Sequence, residues 1–226
     1  MNKNWDTRTP EGYDDYPNLD PFYPRFWEER LYHPWGGEPR GIFVCDMSDL
    51  FGIGIPEEWT ESVMNLIRKH DENRYYLLTK QPQNLIKWSP FPDNCYVGVT
   101  ATNMDAFGKA INGLVAIHAN VCFISFEPLL GEIKDDVNIL SHVLQDNGIN
   151  WLIIGAQTNP YKPPKIEWVQ EIVEAADKAG VKVFLKDNLK PLLENEPLDP
   201  LYWANVCNDE RGNERVDDEL RQELPE

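Results

Sequence analysis

The sequence predicts an α/β fold, a partial (β/α) barrel of about six parallel strands. Three observations point to it. Six short apolar runs recur, centred near residues 43, 76, 97, 123, 153 and 183, about 21–33 residues apart, which suits repeated βα units. The runs are β-branched, aromatic or Leu-rich, as strands covered on both faces are. The segments between them carry apolar residues at helical spacing. A flat doubly wound sheet is the alternative, but no glycine-rich dinucleotide fingerprint and no P-loop motif follows any of the runs.

The elements follow in order. Residues 41–46, GIFVCD, read as a strand. The helix after it, residues 56–70, opens with Pro56 and two acids and closes with Arg68, Lys69 and His70, matching the helix dipole. Trp59, Val63, Leu66 and Ile67 form its apolar stripe. Residues 74–80, RYYLLTK, make the second strand and residues 82–88 a short helix. Residues 95–100 are the third strand, followed by a helix over 103–118. The fourth strand, 121–127, precedes a helix near 136–146. The fifth, 150–157, precedes a helix over 165–180 that ends at Gly180. The sixth, 181–187, leads into a short helix over 188–195. The barrel thus takes residues 41–195. Residues 1–40 form an arm rich in aromatics and Pro, expected to pack on it, and residues 196–226 an acidic tail, expected to fray into solvent.

Charge and cysteine usage narrow the function. The chain carries 38 acidic and 21 basic residues, a net charge of −17. It repels nucleic-acid backbones, which argues against general binding through phosphates. No apolar stretch approaches the ~20 residues of a membrane span. The N-terminus lacks the basic-then-apolar pattern of a signal peptide, so the expected location is cytoplasmic. Cys45, Cys95, Cys122 and Cys207 are far apart, with no pair at zinc-ligand spacing, so no metal site is expected.

In parallel (β/α) folds, chemistry gathers at the carboxyl ends of the strands. Those ends are polar throughout: Cys45, Asp46 and Ser48; Thr79 and Lys80; Thr100; Ser125 and Glu127; Gly155, Gln157 and Thr158; Lys186 and Asp187. Glu127 is therefore expected at the barrel mouth, with Lys80 and Lys186 as partners from other strands. These three are the candidate catalytic residues. Asp46, Ser48, Thr79, Thr100, Ser125, Gly155, Gln157, Thr158 and Asp187 are candidates for binding a polar ligand or cofactor. By residue type alone a structural salt-bridge network across the barrel top explains the same residues equally well; polar residues at all six strand ends favour a ligand pocket. No histidine stands where a Cys–His dyad or a Ser–His–Asp triad needs it.

Six segments stand in order: GIFVCDMSDLFG, YYLLTKQPQNL, YVGVTATN, FISFEPLLG, WLIIGAQTNP and GVKVFLKDNL. Together they resemble a phage- and prophage-associated family of uncharacterised barrel proteins related to radical S-adenosylmethionine enzymes. The resemblance runs from about residue 20 to about residue 195. It implies a radical-SAM-like, TIM-barrel-like fold. For complete relatives it implies an N-terminal loop of three closely spaced cysteines, holding a 4Fe–4S cluster that binds S-adenosylmethionine. In that family pattern a Glu stands where Gln157 is here.

Here Met1 follows the position at which that loop is expected, and the four cysteines do not replace it. No cofactor is therefore expected for this chain, which is expected to be inactive or truncated. A missing first strand would leave an unpaired sheet edge at GIFVCD, open to pairing with another chain. Two alternatives stand beside this reading. One is a clusterless barrel that binds a ligand or a partner, such as the companion protein encoded nearby that the resemblance implies. The other is a metal-independent barrel enzyme using Glu127 with Lys80 or Lys186.

Overall fold

A computed structural model describes residues 25–32, 37–133, 136–193, 204–208 and 214–225. Six parallel strands lie side by side in chain order: β1 (Gly41–Val44), β2 (Arg74–Thr79), β3 (Cys95–Thr100), β4 (Val121–Phe126), β5 (Ile149–Ile154) and β8 (Lys182–Leu185). Between the last two, β6 (Gln157–Thr158) and β7 (Tyr161–Lys162) form a small antiparallel hairpin. The sheet curls into a half-barrel flanked by α1 (Glu57–Lys69), α2 (Met104–Val115), α3 (Val137–Asp146) and α4 (Ile166–Ala179). The partial (β/α) barrel expected from the strand rhythm is the observed fold. The sequential strand order rules out the flat doubly wound alternative, in which the order reverses.

Strand alternation divides the sheet into two faces. Tyr75, Leu77, Val97, Ile124, Ile154 and Leu185 belong to the core beneath the helices. Tyr96, Val121, Phe123 and Trp151 form a second cluster on the concave face, with Tyr76, Leu78, Ile153 and Phe184 partly buried against it. Gly98 stands in register with Phe123, and a Cβ there would lie 2.2 Å from the ring. Gly98 thus makes room for the ring that fills the centre of the concavity.

The helices are set by their ends. Asn103 caps α2 by accepting from the Ala106 N–H at 3.0 Å, and Asp136 caps α3 by accepting from Asn138 at 2.8 Å. Gly180 ends α4 at φ 70°, in the left-handed region that glycine enters without strain. Pro82–Trp88 winds as a 3-10 turn, and α5 (Lys190–Leu193) is a single turn. No described helix is long and apolar enough to cross a membrane.

The tail differs from expectation. β9 (Ala204–Asn208) and β10 (Glu214–Leu220) pair antiparallel, and residues 221–225 return to the barrel as a strap. Leu185 N–H donates to the Arg221 carbonyl at 2.8 Å, and Glu223 N–H to the Val183 carbonyl at 2.9 Å. The Trp151 indole donates to the Glu223 carbonyl at 2.9 Å, and the Tyr96 hydroxyl to the Pro225 carbonyl at 3.1 Å. Arg221 joins Asp177 and Glu223 at 2.7 and 2.9 Å. For these residues the expected fraying is corrected: any backbone can pair with an open sheet edge, however polar its side chains. The strap covers the β8 edge. At the opposite edge, no strand among the described residues pairs with the outer side of β1.

Of the arm's aromatics, Phe26 stacks on Trp59 of α1 with centroids 5.4 Å apart. Trp5, Tyr13, Tyr16, Phe22, Tyr23 and Trp35 lie outside the described residues, as do residues 196–203 and 209–213 of the tail.

Candidate functional site

Register stacks the concave face in rows. Leu78, Gly98, Phe123 and Trp151 lie side by side, and one row nearer the carboxyl ends come Thr100, Ser125 and Ile153. Glu127, Gly155 and Lys186 follow, each just past its strand, and form the mouth.

Lys186 Nζ donates to Glu127 Oε1, joining the ends of β4 and β8 over the end of β5. The pair is reached by solvent, with the glutamate side chain 28% and the lysine 40% exposed. Gly155 lies between them. A Cβ there would stand 3.3 Å from Glu127 Cγ and 3.2 Å from Lys186 Cδ, so any larger residue crowds the pair. Backbone bonds fix all three: Gly155 N–H to the Phe126 carbonyl at 3.0 Å, Leu129 N–H to the Gly155 carbonyl at 3.0 Å, and Lys186 N–H to the Ile154 carbonyl at 2.9 Å. Leu130 and Gly131 both donate to the Thr102 carbonyl, pinning the loop after Glu127 to the neighbouring unit.

Ser125 stands one row below, 1% exposed, its Oγ without a hydrogen-bond partner. An unpaired buried hydroxyl costs about 1–3 kcal/mol, so such groups in folded proteins call for an explanation. The register of Ser125 with Thr100 places it directly beneath the charged mouth.

Two residues that sequence reading passed over shape this end of the barrel. Asn188 Oδ1 accepts from the Ala156 N–H at 3.0 Å and its Nδ2 donates to the Ala156 carbonyl at 2.9 Å. It thereby locks the β5 end to the β8 end. The Tyr161 hydroxyl donates to the Asn188 carbonyl at 3.2 Å, tying the β6–β7 hairpin to the same point. Asp49 accepts from Thr79 Oγ1 at 2.9 Å, the Lys80 N–H at 2.8 Å and the Phe51 N–H at 3.0 Å. It anchors the loop after β1 to the end of β2. The one signal either residue gave was its position just beyond a strand end.

The remaining candidates are placed as follows. Thr79 is buried on the helix side, bonded to Asp49. Thr100 is half-buried beside Ser125, and Lys80 is exposed at the end of β2. Asp46 and Ser48 are exposed in the loop after β1. Gln157 spends its amide on the Pro160 carbonyl at 3.1 Å, and Thr158 is exposed in the hairpin. Asp187 pairs with Lys190 at 3.1 Å. The structure therefore gathers Glu127, Lys186 and Gly155, with Ser125 and Thr100 below them. Asp46, Ser48, Thr158 and Asp187 stand apart from that group. Two cavities, of about 490 and about 780 Å³, lie elsewhere: one beside the loop 50–57, the other at the amino-terminal ends of the strands.

The cysteines were tested against the cluster that the resemblance implies for complete relatives. Burial pushes the Cys95 and Cys122 thiols up to about 12 and about 11. Both sit within the sheet, packed against the helices. Burial also raises the Cys45 thiol, against a hydrogen bond from Ser48 that lowers it. A metal ligand must be a thiolate, and these environments oppose one. Among the described residues no three His, Cys, Asp or Glu side chains are grouped to hold a metal. Cys45, Cys95 and Cys122, the cysteines whose side chains are described, offer no such thiolate set.

No curated protein and no solved structure matches the chain. A family described as Protein of unknown function (DUF5131) matches residues 8–217, nearly its whole length. The strand ends that build the mouth, from β1 to β8, all fall within that match, and the chain belongs to the DUF5131 family of proteins of unknown function.

Proposed function

We propose that the chain is a small-molecule-binding barrel whose mouth takes a ligand bearing opposite charges, and that it carries no iron–sulfur cluster of its own. One observation carries the reading: the Glu127–Lys186 pair meets over Gly155, with the unpartnered hydroxyl of Ser125 beneath it. The carboxylate suits a ligand cation, the ammonium a ligand carboxylate. A solvent-reached ion pair is worth about 0–1 kcal/mol, so a zwitterion that satisfies both ends opens it at little cost. The aromatic rows below supply the apolar wall that such pockets use.

The resemblance to radical S-adenosylmethionine enzymes supplies the ligand to try first. S-adenosylmethionine joins an amino-acid head, a sulfonium and a planar base. In complete relatives the cluster supplies the electron that cleaves it. Cys45, Cys95 and Cys122 do not suit that cluster, so the role this reading gives the chain is to bind and orient. A phage-type origin and a cytoplasmic location belong to the same reading.

Isothermal titration with S-adenosylmethionine tests it. Saturable binding is expected, weakened about tenfold or more in Glu127→Gln and in Lys186→Met, the loss of a charge-assisted contact. A wild-type chain that takes up no ligand overturns it.

A partner protein is the second reading, favoured by the β1 edge. Its outer side pairs with no strand among the described residues, and Phe43 and Met47 beside it are 46% and 81% exposed. A strand from a companion protein encoded nearby fits such an edge. If the purified companion leaves β1 amide exchange unchanged, this reading is lost. Metal-independent catalysis by Glu127 with Lys80 or Lys186 gains no observation of its own.

A further inference from the structure

A second site lies at the opposite end of the sheet. The cavity of about 780 Å³ opens at the amino-terminal ends of the strands. Tyr96, in its wall, is four residues down β3 from Thr100, about 13 Å at about 3.3 Å per residue. The volume is within the range of small-molecule sites, about 300–1,000 Å³. Part of the wall is aromatic. Tyr76 and Tyr96 stand in register on β2 and β3, their rings edge to face with centroids 5.4 Å apart. Gly41 lies against the Tyr76 ring, where a Cβ would come within 3.0 Å of its edge. Val121 and Leu224 of the strap add apolar surface.

Arg74 supplies the polar anchor. Its guanidinium lies over the Tyr96 ring, 4.7 Å from the centroid. Stacking uses a flat face of the group and leaves its in-plane N–H donors available. No acceptor or carboxylate among the described residues takes them. A half-buried guanidinium with unfilled donors in a cavity wall matches a carboxylate or a phosphate. The rim decides between the two. Asp71, Glu72 and Asp93 line the cavity against Arg40 and Arg74, three negative charges to two positive, in a chain of net charge −17. That field opposes a multiply charged phosphate far more than a single carboxylate.

We infer that this cavity binds a monocarboxylate with a ring-sized apolar body, its carboxylate on Arg74 and its ring against Tyr76 and Leu224. The site is separate from the mouth and stands whether or not the mouth binds S-adenosylmethionine.

Saturation-transfer NMR on the full chain tests it with benzoate, its neutral isostere benzamide, and adenosine monophosphate. Benzoate is expected to bind saturably, and benzamide about tenfold more weakly, the loss of a charge-assisted contact. Arg74→Gln, with its fold checked by circular dichroism, is expected to lose benzoate by a similar factor. Lys186→Met is expected to bind it as wild type does. If Arg74→Gln does not fold, the benzoate–benzamide comparison on wild type decides alone. Absence of benzoate binding, equal binding of benzamide, tighter binding of adenosine monophosphate that Arg74→Gln abolishes, or loss of benzoate in Lys186→Met each overturns the assignment.

Discussion

Two glycines decide what the concave face can do. Gly155 lets Glu127 and Lys186 meet, and Gly98 lets Phe123 lie flat across β3. The second is the sharper test, because the clash is with a buried ring held by Trp151 at 5.3 Å rather than with flexible side chains. Gly98→Ala is expected to destabilise the fold by about 1–3 kcal/mol, the usual cost of overpacking. Urea unfolding should show the midpoint fall with the slope unchanged; an unaltered midpoint would mean that Phe123 has somewhere else to go. At this scale the sequence was legible where chemistry follows position. Glu127 and Lys186 stood out because each ends an alternating apolar run. Asn188 and Asp49 did not, because their roles lie in bonds to Ala156 and Thr79, 32 and 30 residues away. Ser125 was legible as a strand-end residue, but its lack of a partner appears only once the sheet is assembled.

At the scale of elements, the strand rhythm was readable because parallel strands buried on both faces must be apolar throughout. The ends were harder. The run read as one strand through Gln157 stops at Ile154, since Ala156 gives its backbone bonds to the Asn188 side chain and residues 157–162 turn back as a hairpin. The strap was hidden for a different reason: two of its bonds to β8 are backbone bonds, to which composition is blind, and the Glu223 and Gln222 side chains add bonds to Val183 and Leu185 that sequence position does not announce. Deleting residues 221–226 tests its weight. It removes two backbone bonds to β8, the bonds to Trp151 and Tyr96, and both Arg221 ion pairs. The melting temperature is expected to drop and tryptophan emission to shift to the red as Trp151 meets water. Emission unchanged from wild type would show that the concave cluster holds without it.

Across the whole molecule, acidic residues outnumber basic ones by 38 to 21, and the surplus sets the response to pH and salt. Glu171 shows how. Burial first, then the carboxylates of Glu132, Glu174 and Glu167, hold its carboxyl above the ordinary range. Glu167 and Glu174 lie one turn to either side on α4, where like charges repel. Because the folded state holds this proton more tightly than the unfolded chain does, ionisation works against folding. The loss begins as pH rises past the ordinary glutamate value, about 4.3, and is complete above the raised folded value. Glu171→Gln is therefore expected to melt higher than wild type at neutral pH, with the difference closing as pH falls below about 4. Raising salt from about 0.01 to about 0.15 M shortens the screening length from about 30 to about 8 Å, and should narrow the gap at neutral pH from the other side. A difference that persisted unchanged through both titrations would place the effect in side-chain packing on α4. A difference that closes in both places it in the charge surplus, and the same acidic field then acts on any anion approaching either end of the barrel.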